Sequence, residues 1–261
     1  MILRRVIAHF RKQEWTAIAI DFVIVVLGVF VGLQVSNWNA ARSERSAEIG
    51  YLAAMEEDVA YSIGKLEELI TSMERQEEAR AALYAFSLDP EETMAPELRD
   101  RLIAHGLFHI ATHNIRQVTY EALKGSGRLN AISSPPLISA LQSLSAEVAE
   151  VVRREQDETQ VTYLFSDPLL ISGVDMAGAL RQTNINGAPP PITWLPAPQH
   201  PSSVAPRVMK TQAFRNALLY RSYFTSARLL DVRRVLESHR RIAGLIDDRQ
   251  AAIGAPGSGS E

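Results

Sequence analysis

The feature that most constrains this chain is an apolar run near its N-terminus. From Phe22 to Leu33 no side chain is strongly polar, and Trp15 and Trp38 bracket a longer stretch around that run. A helix over residues 15–38 is about 36 Å long at a rise of about 1.5 Å per residue, which is enough to cross a hydrocarbon core of about 30 Å. Tryptophan favours the headgroup layer, so Trp15 and Trp38 are expected to be interfacial anchors. The sequence therefore predicts a transmembrane helix over residues 15–38.

A cleaved secretory signal peptide is the alternative interpretation of the same run. Such a peptide has a shorter apolar core followed by a small-x-small cleavage site, whereas Gln34, Asn37 and Asn39 follow the core of this one. A twin-arginine export signal at Arg4-Arg5 lacks the remainder of that motif. The uncleaved span is therefore favoured.

The orientation of the span follows from the positive charges on its two sides. Four basic residues precede the span and two follow it closely: Arg4, Arg5, Arg11 and Lys12 before it, Arg42 and Arg45 after it. Because such residues stay in the cytoplasm, residues 1–14 are predicted to form a cytoplasmic, basic amphipathic segment on the lipid bilayer. The prediction is a single-pass protein of a bacterial inner membrane with the bulk of its chain in the periplasm. The absence of cysteine fits that oxidising compartment.

Residues 39–253 are predicted to form a helical bundle outside the cytoplasm, so the fold class is all-α. Apolar residues between positions 40 and 88 recur at the heptad spacing of a coiled coil: Ile49, Leu52, Val59, Ile63, Leu66, Ile70 and Met73. No helix breaker precedes Asp89-Pro90, so the membrane helix is expected to continue into this one. The predicted arrangement is antiparallel, with about four main helices.

Three further helices are expected between residues 97 and 165. A helix is expected over residues 97–112. A short helix follows, with Thr119 as its N-cap and Gly125-Ser126-Gly127 as its left-handed end. Ser134 is expected to cap a longer helix that begins with two prolines and runs to about Phe165.

The C-terminal part of the chain combines a proline-rich loop with a long helix. Residues 167–206 lose all helical periodicity and are predicted to be a loop, for which a partner-binding strap is the alternative to a plain surface connection. The last helix is predicted over residues 207–252. Residues 254–261 are small and polar and are expected to form a disordered tail.

The distribution of charge predicts which helices are neighbours. Residues 41–100 contain fifteen acids and six bases, whereas residues 205–250 contain ten bases and four acids. The two segments are expected to lie side by side, with apolar faces supplying the stability because a solvated ion pair adds only about 0–1 kcal/mol. Two independently solvated faces are the alternative. The net charge of -3 gives no indication of nucleic-acid binding.

Three segments of the chain resemble a family of single-span bacterial membrane proteins. Residues 25–39, VVLGVFVGLQVSNWN, are similar to the family's apolar run ending in Leu-Gln-Ile-Asn-Asn-Trp-Asn, and residues 119–127, TYEALKGSG, and Phe214-Arg215-Asn216 resemble two further hallmarks. The family is catalogued as domain of unknown function 6090. Where the family has Gly-Glu early in the span, this chain has Ile20-Asp21. The resemblance implies the single-span topology and no particular activity.

Three histidines form the pattern that comes nearest to a metal site. His105, His109 and His113 are spaced four residues apart, which on one helix gives a single stripe. His105 and His109 are weak candidates for binding a transition metal, because a closed site needs further ligands and His113 lies about 12 Å from His105 on a helix. A polar seam is the preferred interpretation, so neither a metal nor a cofactor is expected.

Patterns associated with catalysis are missing from the sequence. There is no nucleophile elbow, no phosphate-binding glycine loop, no H-E-x-x-H motif and no cysteine nucleophile. Adjacent acids such as Glu67-Glu68 are typical of a solvated helix face. We therefore expect a protein that is not an enzyme.

One side of the predicted span is suited to helix association. Asp21, Val25, Gly28, Gly32 and Ser36 lie on this side, since successive members are three or four residues apart. The G-x-x-x-G step at Gly28 and Gly32 lets two helices approach closely, and Asp21 is costly in hydrocarbon unless it faces protein or water. Self-association or binding of another membrane protein is predicted. The alternative is that Asp21 reaches the headgroups and that glycine is simply frequent in such spans.

Two classes of function fit these features. The favoured one is a non-enzymatic, membrane-anchored scaffold or assembly subunit. The other is a sensor-like ligand-binding bundle that signals through a membrane partner, with residues 167–206 folding over a pocket. A cavity lined by convergent polar groups would favour the sensor, and a large exposed apolar patch would favour the scaffold.

Overall fold

Helices make up most of the molecule. The computed structural model describes residues 15–166, 175–182, 192–197, 202 and 204–254, without the side chains of residues 15–19, 165 and 166. Of these described residues, 84% are helical and none lies in a strand, which confirms the all-α class. The chain divides into two units between Tyr51 and Leu52.

The first helix, α1, runs from Trp15 to Leu88. Its N-terminal part is apolar and exposed, and within the described residues it is the helix that is long and apolar enough to cross a membrane. The predicted absence of a break before Asp89 is confirmed, because α1 ends at Leu88. The predicted segment over residues 1–14 lies outside the described residues.

The second predicted helix ends four residues earlier than expected, at Phe108 instead of Thr112. Helix α2 covers Pro96–Ile103, and a π-helical segment, Ala104–Phe108, follows it. Residues 109–117 then have no regular secondary structure, and we call them the crossing segment. The expected continuous helix over residues 97–112 therefore does not form.

The elements of the middle of the chain agree better with prediction. Helix α3 covers Val118–Gly125, a short 3₁₀ turn covers Leu129–Ala131, and α4 covers Pro135–Val161 and continues as a π-helical segment, Thr162–Ser166. The Ser134 hydroxyl accepts the amide of Leu137 at 3.4 Å, so its predicted capping role is confirmed. Gly127 has a φ of 70°, which confirms a left-handed residue after α3.

The C-terminal part contains more helix than predicted. Within the predicted loop, α5 covers Met176–Gln182 and α6 begins at Pro206 and ends at Met209. Helix α7 covers Gln212–Gly254, so the last helix starts five residues later than expected, after the separate α6. The rest of the predicted tail, residues 255–261, lies outside the described residues.

A heptad register organises the core of the second unit. On α1 the buried positions include Leu52, Met55, Val59, Ser62, Leu66, Leu69, Met73, Gln76, Arg80 and Leu83; on α4 they include Leu137, Leu144, Val151 and Glu158; on α7 they include Phe214, Leu218, Arg221, Thr225, Arg228, Val232, Val235, His239, Ile242 and Ile246. Each set advances by three and four residues alternately or by seven. The prediction of heptad spacing is confirmed for Leu52, Val59, Leu66 and Met73, whereas Ile49 is exposed.

Ion pairs join the acidic and basic helices, as predicted from their charge. Glu74 pairs with Arg233 and Glu67 with Arg240, each at 2.7 Å, and Gln250 donates to Glu56 at 2.9 Å. In these three pairs, a lower residue number on α1 goes with a higher residue number on α7. These pairs are solvated, so they select the neighbour and the buried stripes supply most of the stability.

Candidate functional site

Four charged side chains occupy core positions of the heptad register. Arg80 of α1 is 1% exposed, and Arg221 and Arg228 of α7 and Glu158 of α4 are 0% exposed. A core position normally holds an apolar residue, because a buried charge must be paired and hydrogen-bonded to be tolerated. We call these four residues and Thr225 the arginine cluster.

The hydroxyl of Thr225 bridges a positively and a negatively charged side chain of the cluster. Its hydroxyl accepts a hydrogen bond from Arg80 Nη1 at 2.9 Å and donates one to Glu158 Oε1 at 2.6 Å. The other carboxylate oxygen of Glu158 lies 3.0 Å from Nε of Arg228. Glu158 is 3.9 Å from Nη2 of Arg221, which makes this the longest pair of the cluster. One carboxylate thus pairs with two guanidinium groups of α7 and is linked to Arg80 of α1 through Thr225.

The arginines also bind the backbone of the chain between α2 and α3. Arg80 Nε donates to the carbonyl of Gly106 at 2.8 Å, and Nη2 of Arg221 donates to the carbonyl of His109 at 3.2 Å. Nη2 of Arg228 donates to the carbonyl of Ala111 at 2.7 Å. A buried carbonyl outside a helix needs a partner of this kind. The cluster therefore holds in place a segment that has no backbone ladder of its own.

Glu155 of α4 extends the same network to the crossing segment. Its Oε2 accepts the backbone amide of His113 at 3.0 Å and lies 2.9 Å from the ring Nδ1 of His113. Arg228 Nη1 lies 3.3 Å from the same oxygen. Burial by itself raises the pKa of Glu155, but the contacts with His113 and Arg228 outweigh it and leave the pKa below its usual value.

The far end of the crossing segment is bound by α1. Ser62 Oγ accepts the amide of Arg116 at 2.9 Å, and Oδ2 of Asp58 accepts both the amide and the hydroxyl of Thr119, at 2.9 and 2.8 Å. Asp58 thus caps the first turn of α3, where a carboxylate also interacts well with the helix dipole. The prediction that Thr119 is the N-cap is therefore wrong, because the capping oxygen comes from Asp58 of another helix.

Burial and neighbouring charges change the pKa values of Arg221 and Arg80. Burial, followed by the nearby Arg80, lowers the pKa of Arg221 to about 10, although Glu158 opposes the shift. Burial also lowers the pKa of Arg80, against the opposing effect of Glu77. Burial is thus the main cause of both shifts, and neighbouring guanidinium groups add to it.

The predicted histidine stripe does not form. His105 lies in the π-helical segment, His109 is the first residue after it, and His113 lies in the crossing segment beside Glu155. Burial lowers the pKa values of both His105 and His109. In the described part of the chain, no group of three or more His, Asp or Glu side chains is arranged to hold a metal ion.

The residues predicted for the membrane span lie on α1. Asp21 and Ser36 are exposed, and a Cβ atom at Gly28 or Gly32 would have open space around it. Trp38 is exposed, with the Arg42 guanidinium 5.7 Å from its ring centroid, while the side chain of Trp15 lies outside the described residues. The association of this face stays a prediction.

Helix α7 carries an exposed surface without charge. From residue 216 to residue 230 the exposed positions are Asn216, Leu219, Tyr220, Tyr223, Ser226 and Leu230. Leu219, Tyr223 and Leu230 are 51, 67 and 63% exposed, and their spacing puts them on one side of the helix. We call Leu219, Tyr220, Tyr223 and Leu230 the α7 apolar face.

A small cavity lies near the other end of α7. Its lining comprises Met55, Asp58, Val59, Arg116, Gln117, Tyr120, Leu141, Leu144 and His239, and its volume is about 20 Å³. This volume accommodates about one water molecule. The Nε2 atom of His239 is buried there without a hydrogen-bond partner in the described part of the structure.

The arginine cluster was not predicted from the sequence, although a signal for it exists. Arg80 follows Met73 by seven residues, and Glu158 follows Val151 by seven. Arg221 and Arg228 likewise precede Val235 by fourteen and seven. Extending each apolar heptad pattern by one repeat, or by two to reach Arg221, would have placed these charges in the core.

Comparison with known proteins adds no relative. No family model, curated protein or solved structure matches this chain. The resemblance carried by residues 25–39, 119–127 and 214–216 therefore stays a prediction from those residues.

Proposed function

We propose that this protein is a membrane-anchored helical scaffold that binds another protein through the α7 apolar face. The single observation that carries the proposal is the exposure of Leu219, Tyr223 and Leu230 along an uncharged stretch of helix. Exposed apolar surface of this kind is typical of a protein–protein contact site. Large aromatic residues such as Tyr220 and Tyr223 are also the residue types that contribute most to binding.

The surroundings of the face support the same proposal. The π-helical segment after α4 packs against α7 and exposes Tyr163 and Leu164, which are 62 and 61% exposed. Phe224 supports both tyrosine rings of the face, with ring centroids 5.3 Å from those of Tyr220 and Tyr223. Rings held in place lose little entropy on binding.

The proposed scaffold is a single-pass protein of a bacterial inner membrane. Its N-terminus is cytoplasmic, and the antiparallel bundle, which includes the C-terminal part of α1, lies in the periplasm, as the excess of basic residues before the span favours. The side of the span with Asp21, Gly28, Gly32 and Ser36 adds a second contact within the membrane, either with another copy or with another membrane protein. No catalytic role is part of the proposal.

A ligand sensor has less support from the described residues, and most of residues 167–206, which were expected to fold over a pocket, lie outside them. A sensor needs a cavity that encloses a small molecule, typically some hundreds of Å³ in volume. The cavity beside His239 is about 20 Å³ and therefore accommodates about one water molecule. The arginines of the arginine cluster donate hydrogen bonds to the chain's own backbone carbonyls and do not surround a cavity for a small-molecule ligand among the described residues.

The absence of cysteine permits a direct test. Tyr223→Cys places a single thiol on the α7 apolar face, and Glu57→Cys places one on the exposed, acidic side of α1 as a matched control. Spheroplasts that express each variant are treated with a membrane-impermeant maleimide that carries a photo-crosslinker. Labelling of both variants is expected because the bundle faces outward. A discrete crosslinked product is expected from Tyr223→Cys alone.

The possible failures are distinguishable. Absence of labelling at both positions would reverse the topology without bearing on the face. Labelling of both variants with the same crosslinked products, or with none, would refute the assignment of the α7 apolar face as a contact site. The mass of a specific product then tells a second copy from a different protein.

A further inference from the structure

Arg221 has far fewer hydrogen bonds than a buried guanidinium needs. An arginine has five N–H donors. In the described structure one of them binds the carbonyl of His109 at 3.2 Å, and the nearest carboxylate, that of Glu158, is 3.9 Å away. Nε and Nη1 are buried and have no hydrogen-bond partner among the described residues. Leaving such donors desolvated and unpaired is costly.

The charges around Arg221 are arranged unfavourably for a cation. The guanidinium groups of Arg80 and Arg228 are close enough to act on it electrostatically. Glu158 is fully buried but is shared with Arg228 and Thr225, while Glu77 is bound to Arg80 and Glu155 pairs with Arg228. Among the described residues, Arg221 is therefore the guanidinium of the cluster whose nearest paired carboxylate is the most distant, at 3.9 Å.

We propose that Arg221 binds a small inorganic anion, a halide ion such as chloride, within the arginine cluster. Unlike a water molecule, an anion supplies both the missing acceptor and the missing negative charge. Its small size follows from the enclosure of the site, because Arg221 and Arg228 are 0% exposed. A phosphate group on a larger molecule would need an opening to the surface. The lowered pKa of Arg221, which burial causes first and Arg80 second, agrees with a buried guanidinium that lacks a close partner.

This proposal assigns the cluster a role in addition to holding the crossing segment. Bound at Arg221, the anion would screen the repulsion between Arg221 and its two neighbouring guanidinium groups. It would therefore stabilise the contact of α7 with His109 and Ala111, whose carbonyls accept from Arg221 and Arg228. The proposal is independent of the α7 apolar face.

Thermal unfolding of the full chain in a nonionic detergent tests the proposal. The unfolding midpoint is measured in sodium chloride and in sodium gluconate of equal ionic strength, so that general screening is constant. At a chloride concentration about ten times the Kd, we expect chloride to raise the midpoint by about 3–6 °C. Arg221→Met should abolish the chloride-dependent increase. Arg233→Met, which removes an exposed arginine paired with Glu74, should retain it.

The outcomes that overturn the proposal are equally definite. An unchanged midpoint of the wild-type chain in chloride, or the same increase in Arg221→Met, would show that no halide binds at this position. Where Arg221→Met fails to fold, crystals of the wild-type chain grown in bromide decide the question. An anomalous bromide peak beside Nε or Nη1 of Arg221 supports the proposal, and water or protein atoms alone at that position refute it.

Discussion

Replacing Thr225 by valine tests the interpretation of the arginine cluster most directly. The Thr225 hydroxyl accepts from Arg80 at 2.9 Å and donates to Glu158 at 2.6 Å, and it is fully buried. Valine keeps the shape of the side chain and removes both bonds. A hydrogen bond to a charged group contributes about 1.5–3 kcal/mol net, so the loss of two is expected to cost at least about 3 kcal/mol.

Thermal unfolding of the full chain in detergent, followed by far-ultraviolet circular dichroism, measures this effect. For a domain of this size, 1 kcal/mol corresponds to a midpoint shift of about 2–4 °C. Thr225→Val is therefore expected to lower the midpoint by about 6–12 °C. The loss of stability is expected to be large because the charges of Arg80 and Glu158 stay buried with fewer hydrogen-bond partners.

Thr71→Val is the matched control for this experiment. The hydroxyl of Thr71 donates to the carbonyl of Glu67 on the exposed side of α1, at 2.9 Å. The same substitution there is expected to change stability by no more than about 0.5 kcal/mol. If Thr225→Val and Thr71→Val shift the midpoint equally, the hydroxyl of Thr225 does not join two buried charges and the account of the cluster is wrong.

Two further substitutions test the packing and the protonation of the core. A Cβ at Gly106 would lie 3.3 Å from Cγ of Arg80, so Gly106→Ala should lower the free energy of unfolding in urea by about 1–3 kcal/mol. Gly64 has open space around it on α1, so Gly64→Ala should raise the free energy of unfolding by about 0.5–1 kcal/mol. Changes of the same sign in the two variants would contradict this reasoning. Burial lowers the pKa of His239 below its ordinary 6.5, so the unfolded chain binds more protons and the folded state loses stability as the pH drops below about 6.5. His239→Met should therefore reduce the loss of stability measured between about pH 7.5 and 5.5. The same loss in His239→Met as in the wild type would refute this prediction.

A polar cluster in an otherwise apolar core has a further consequence for the fold. Replacing a buried ion pair by apolar residues is often neutral or stabilising, so the arginine cluster is weak evidence for high stability. Its contacts are nevertheless specific, because Arg80, Arg228 and Glu155 bind particular backbone groups of Gly106, Ala111 and His113. We infer that the cluster selects one register of α1, α4 and α7, much as single polar residues do in coiled coils.

Periodicity along the chain was sufficient for the all-α class and for the long helices. The apolar residues of α1 mark both its exposed N-terminal part and, from Leu52 onward, its heptad stripe, since both follow from side-chain chemistry and the geometry of one helix. The cap at Ser134 was also predicted because the capping oxygen and the capped amide of Leu137 are three residues apart. Even the burial of Arg80 was available from the heptad register.

The end of α2, the cap of α3 and the pairing within the cluster were decided by tertiary structure alone. The helix expected through Thr112 stops because the carbonyls of His109 and Ala111 are bound by arginines of α7, more than a hundred residues further along the chain. The first turn of α3 is likewise capped by Asp58 of α1. Local sequence cannot encode such partners, since each depends on which side chain another helix brings within hydrogen-bonding distance once the core has formed.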